Sequence, residues 1–121
     1  MMERKDEFVE VLKAKLQEKR FKHSLNVADA ALELAKRYGE DEERAYICGL
    51  LHDVEKNSPE EEQKGYMLRF DDIPEVVVAT PKLWHAPAGA AFVRDELGIT
   101  DPEMVSAIKY HKTAKASMTM L

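Results

Sequence analysis

Apolar residues recur at intervals of three and four along this chain, and that spacing sets what it can fold into. Phe8, Val9, Leu12 and Leu16 form one such run, and Leu25, Ala28, Leu32 and Ala35 form another. A residue returning every 3.6 positions comes back to the same side of an α-helix, so each run gives one helix an apolar stripe to bury. No stretch alternates polar and apolar residues long enough to make a strand. The chain therefore reads as all-α.

Short polar signals divide it into helices. Gly39 closes the second helix as a C-cap glycine, and Asp41 is the N-cap of a third running through Ala45, Cys48, Leu51 and His52. Ser58-Pro59 with Glu61 offers a capping box and a first-turn proline for a fourth. Pro74 and Pro81 bound an irregular stretch around VVVATPKLW. A fifth helix is expected to follow Pro87 and stop at Gly98. A sixth should start at Asp101-Pro102-Glu103 and carry Met104, Ile108 and Tyr110 or His111. The expectation is one domain over residues 1–121, a bundle of about six helices. The closing SMTML reads as the first turn of a further helix cut short.

Composition narrows the function. A chain of 121 residues, 45% hydrophobic and 34% charged, can bury a core without disulfide staples. The opening MMERKDEFVE is charged throughout and reads as no secretory leader. VVVA and GAAFV, the longest apolar stretches, are too short to span a bilayer. A lone cysteine, Cys48, gives no internal disulfide and fits a reducing cytoplasm; inside an apolar run it reads as a small buried hydrophobe. The net charge of −5 speaks against a nucleic-acid polymer as partner. The local exception is KYHKTAK, Lys109 to Lys115, with three lysines and a histidine, which suits a small phosphate ligand.

There are only four histidines, and three fall near helix ends. His23 stands early in the second helix, and His52 stands beside Asp53 at the end of the third. His85 comes just before a helix start and His111 just past a helix end. Taken singly, His23 reads as an exposed helix residue, His85 as a turn cap, and His111 as a favourable charge at a helix C-terminus. Taken together they can converge on one cleft. Two imidazoles and a carboxylate leave open positions on iron, manganese or cobalt, and His23, His52 and Asp53 supply that set. Lys56, four residues after His52, would stand beside such an ion on the same helical face. Arg20, three residues before His23, would add a second cation. An ion flanked by cations is a place for a phosphate.

The segments RFKHSLNVADAALELAKRYG, AYICGLLHDVEKN, PKLWHAPAGAAFVRDELGI and IKYHKTAKASMTML, in that order, resemble the HD-domain superfamily of metal-dependent phosphohydrolases, and its YqeK-type members in particular. The resemblance implies an all-helical HD domain and a cytoplasmic enzyme that cleaves diadenosine tetraphosphate symmetrically into two ADP. It implies His23, His52 and Asp53 as metal ligands, with iron the expected ion, and Arg20, His23, His85 and His111 as contacts to the phosphates. Lys56 matches the lysine that follows the His-Asp pair; Thr113 and Lys115 lie in the loop after the last histidine. The family pattern continues past Leu121 with a helix bearing a last ligand aspartate. Lacking it, the chain is expected to expose apolar faces that favour a homodimer.

The expected chemistry is attack of water on a phosphate, with Asp53 available as proton acceptor and Lys56, Arg20, His85 and His111 stabilising charge on the phosphate chain. No GxxxxGK[ST] loop is present, and Ser24 has no base at a readable spacing. Two other functions stay open on the residues alone: a phosphohydrolase of another nucleotide, mono- or triphosphate, and a nucleotide-binding regulatory module without catalysis.

Overall fold

The computed structural model describes residues 2–111. Thr113 and Lys115 lie outside them. Among the described residues there is no strand, and seven α-helices follow one another: α1 (Lys5–Lys15), α2 (Glu18–Tyr38), α3 (Glu42–Leu51), α4 (Glu60–Met67), α5 (Glu75–Val78), α6 (His85–Asp95) and α7 (Pro102–Lys109). The seventh, beyond the six expected, is the four-residue α5 inside the stretch between Pro74 and Pro81.

Local chemistry explains most boundaries. Gly39, at φ 70, takes the left-handed turn that ends α2. Asp41 accepts from the Arg44 amide to start α3, and Asp101 accepts from the amides of Glu103 and Met104 to start α7. Two expectations are corrected. Ser58 does not build a capping box: Pro59 is the N-cap of α4, and the Ser58 hydroxyl donates to Glu55 Oε2 at 3.3 Å. Helix α6 begins at His85 rather than after Pro87. Pro87 fits there because first-turn amides have no partner within the helix to lose.

The core gathers on Phe8 and Leu12 of α1, Ile47, Leu50 and Leu51 of α3, Val93 of α6, and Met104 and Ile108 of α7. Burial of each such side chain contributes roughly 1.5–3 kcal/mol. Helices α2 and α3 pack closely along their length, and Gly49 lets them. A β-carbon there would lie 3.0 Å from both Ala28 Cα and the Val27 carbonyl. On the other side α6 carries a run of small buried residues, Ala86, Ala88, Ala90 and Ala91. A β-carbon on Gly89 would meet Val54 at 3.4 Å, so α6 passes close behind the turn that follows α3.

Candidate metal centre

Helix α3 stops at Leu51, with His52 as its C-cap. Residues 52–58 then form successive tight turns, in which Val54 N–H reaches the Leu51 carbonyl, Lys56 N–H that of Asp53 and Ser58 N–H that of Glu55. His52, Asp53 and Lys56 therefore stand on a turn rather than on one helical face, which corrects the sequence reading. Asp53 is the hub. Its Oδ2 lies 3.0 Å from Arg20 Nη1 and 3.3 Å from His52 Nε2. Its Oδ1 lies 3.4 Å from His111 Nε2 and 3.6 Å from His85 Nε2. The His23 and His52 rings are 5.7 Å apart. Arg20, His52, His85 and His111 thus meet one carboxylate, and His23 offers a ring nitrogen within 4.8 Å of it.

Two of the rings are oriented by the backbone. His52 Nδ1 donates to the Gly49 carbonyl at 2.7 Å, and His111 Nδ1 donates to that of Ile108 at 2.8 Å. A carbonyl only accepts, so the proton sits on Nδ1, and the neutral ring aims its Nε2 lone pair at Asp53. A lone pair facing a carboxylate oxygen repels it unless a cation lies between them or the ring takes a second proton. Asp53 Oδ1 and His111 Nε2 are moreover buried without hydrogen-bond partners. Backbone-held imidazoles around an ionised carboxylate fit a divalent ion. Two overlapping trios could hold one: His23, His52 and Asp53, and Asp53, His85 and His111, with the ligand atoms of each within 4.8 Å of one another.

Electrostatics agree. Burial pushes the Asp53 carboxyl up, but hydrogen bonds and charge from the His111 and His52 rings, which require a second proton on each ring, outweigh burial and hold it well below the usual carboxylate range. Lys56 is half-buried on the turn, and among the described residues its ammonium has no ion pair. Lys109 behaves differently from the phosphate-binding residue its basic segment suggested. It is buried, bonded to Asp72 at 2.6 Å and set over the Phe70 ring. Cys48 has its thiol pushed up to about 11, first by burial, which suits the small hydrophobe expected. Trp84 is core, its indole N–H donating to the carbonyls of Val77 and Val78.

Sequence reasoning missed what supports the turn. Glu55 is completely buried; its Oε2 lies 2.8 Å from Lys15 Nζ, and Lys15 lies equally close to Glu62. Gln63, also buried, donates to the carbonyls of Glu55 at 2.8 Å and Ser58 at 3.1 Å. Spacing could have found both. Glu55 comes four residues after buried Leu51, and Gln63 four before buried Met67.

Comparison with known proteins agrees with this geometry. A family model described as "HD domain" matches residues 20–119. A Bacillus subtilis protein described as "Bis(5'-nucleosyl)-tetraphosphatase, symmetrical" is 37% identical over 97% of this chain and 63% of its own length. One of the same description from Halalkalibacterium halodurans is 32% identical over 93% of this chain and 60% of its own. The chain thus spans under two thirds of these curated relatives. A crystal structure from Clostridium acetobutylicum, described as a "predicted HD superfamily hydrolase involved in NAD metabolism", superposes with a TM-score of 0.83 at 36% identity, covering 89% of this chain and 58% of that one.

Proposed function

This chain belongs to the HD domain family, and we propose that it is a metal-dependent phosphohydrolase that cleaves diadenosine tetraphosphate symmetrically into two ADP. The observation that carries the metal is the pair of rings, His52 and His111, whose Nδ1 protons are committed to backbone carbonyls while their Nε2 atoms converge on Asp53. The substrate class comes from the two tetraphosphatase relatives.

His23, His52 and Asp53 would hold the ion, iron in this reading, with manganese or cobalt accepted by the same donors. Bound there, such an ion polarises a phosphoryl oxygen and makes a nearby water more acidic. In the reaction a water oxygen bonds to one of the two inner phosphorus atoms, and the bond from that phosphorus to the central bridging oxygen breaks. The bridging oxygen leaves with the second ADP. The attacking water must lose a proton: Asp53, a ligand of the ion in this reading, would accept it and release it to solvent. Lys56 has an ammonium without an ion pair among the described residues, and it would meet the phosphate chain. Arg20, His85 and His111 would do the same, Arg20 releasing Asp53 as it turns. Each fixed cation or donor aimed at developing charge contributes roughly 3–4 kcal/mol to such a step.

His85 and His111 admit a second role, because with Asp53 they form a trio of their own. Metal stoichiometry separates the roles: one ion per chain leaves them to the phosphates, and two assign them to a second ion. We further read residues 1–121 as one HD domain, placed in the cytoplasm. Among the described residues no helix is long and apolar enough to cross a membrane. Leu34 and Tyr38 stand exposed on α2, which supports a homodimer.

The test is product analysis. Diadenosine tetraphosphate is incubated with the chain and ferrous or manganous ion, with His52→Ala as control. ADP as the sole product, absent in the control, is the expected result. Tight nucleotide binding without turnover would make this a binding module instead, and cleavage of only mono- or triphosphates would reassign the substrate.

A further inference from the structure

Seven residues, 52–58, carry both His52 and Asp53, and hardly any of their shape is set locally. Three i-to-i+3 amide bonds curl the segment, yet such turns are weak when they stand alone. The fixation comes from four other places in the fold. Gln63, from α4, spreads one amide over the carbonyls of Glu55, Ser58 and, at 3.5 Å, Lys56. Lys15, at the end of α1, reaches 2.8 Å to Glu55 Oε2 beneath the turn and 2.8 Å to Glu62 of α4. Its ammonium also sits 4.5 Å from the Phe92 ring centre of α6. Asn57 Oδ1 accepts from the Gln17 amide at 2.9 Å, which ties the turn to the start of α2. That helix start leads directly to Arg20 and His23.

We infer that Lys15, Glu55 and Gln63 are positioning residues for the metal centre: a buried strut that holds the His52-Asp53 turn against α1, α4 and α6, and so sets the direction of the two adjacent ligands. None of the three touches the proposed ion or substrate. Their effect passes through the backbone of the turn, in the way outer hydrogen bonds hold metal ligands in register. Burial gives the strut its force. Glu55 is completely inaccessible and Gln63 nearly so, and a buried polar group that loses its partner costs more than an exposed one. The turn therefore has no inexpensive alternative position while the strut is intact.

The inference rests on the metal reading above, and the experiment keeps the two apart. Manganous ion is titrated into the purified chain and the loss of the free-ion electron paramagnetic resonance signal gives its affinity, with no substrate present. Gln63→Met keeps the length of the side chain, replaces its amide with an apolar group and deletes the three donations. It is compared with Ile99→Ala, which deletes buried methyl groups between α6 and α7, and both are ranked by urea unfolding. The expected result is roughly tenfold weaker manganese binding in Gln63→Met, with Ile99→Ala binding as the parent does. If Gln63→Met does not fold, Lys15→Gln serves in its place, and Lys15→Arg should rescue the affinity that Lys15→Gln loses. Equal affinity in all chains, or equal losses in the strut variant and Ile99→Ala, would overturn the strut. A parent that takes up no manganous ion refutes the metal reading itself, and the strut's role falls with it.

Discussion

Glu55 makes the stability of this protein depend on pH in an unusual direction. Its side chain is completely buried, and burial, opposed by Lys15 and reinforced by Glu62, raises its carboxyl from 4.5 to about 7. The folded chain therefore holds this proton more tightly than the unfolded chain does. The stabilisation is complete below about pH 4.5 and is lost as pH rises through 7. At about 1.4 kcal/mol per pH unit the whole effect is on the order of 3 kcal/mol, most of it lost between pH 5 and 7. Asp53 and Asp95 are shifted the other way; the stability they add is lost only as pH falls below the ordinary aspartate range, outside this window. Urea unfolding of the parent and of Glu55→Gln at pH 5, 6, 7 and 8 isolates the term. The parent should lose roughly 2–3 kcal/mol relative to the variant from the acid end to the alkaline end. If the two chains change in parallel across the window, Glu55 is not the group responsible, and the buried, proton-retaining carboxyl is refuted.

Other perturbations have equally definite outcomes. Gly49→Ala places a methyl group 3.0 Å from backbone atoms of α2 that have little room to yield; it should cost about 1–3 kcal/mol by thermal or urea unfolding. Because α2 carries His23, the same change should weaken manganese uptake. His85→Ala and His111→Ala, if these rings serve the phosphates, should each lower kcat/KM for diadenosine tetraphosphate roughly 100- to 1,000-fold while leaving the metal content of the purified chain at the parent's value. Loss of metal from either variant would assign the rings to an ion instead.

The parts of this fold legible in the sequence are those decided within a few residues. The Gly39 N–H donates to a carbonyl, and Asp41 and Asp101 accept from amides, no more than four positions away, so each boundary follows from its own neighbourhood. The end of α3 does not. Its periodicity runs on through His52, but the chain leaves the helix because Gln63, Lys15 and Asn57 hold residues 55–58 in turns. Gln63, Lys15 and the Gln17 amide that donates to Asn57 all lie outside the turn, so no pattern within residues 52–58 announces them. Ser58 shows the same limit: serine, proline and glutamate spell a capping box, yet buried Glu55 takes the hydroxyl. Lys109 reads as part of a basic cluster until the fold delivers Asp72. The histidines and Asp53 were legible because helix-end placement survives small errors in boundaries. The strut beneath them was not, since a glutamate among charged neighbours looks solvated until its distance from Leu51 is weighed.

The spread of the centre along the chain has a consequence for how the protein is made. His23, Asp53, His85 and His111 come from four separate places in sequence, joined only when α2, α3, α6 and α7 have packed. Before α2 has packed on α3, the chain offers only the adjacent pair His52 and Asp53, too few donors to retain an ion; the trio with His23 comes only with that packing. An ion at this centre would thus add its binding energy only to chains in which that packing is made, and metal retention through purification would serve as a direct count of such molecules.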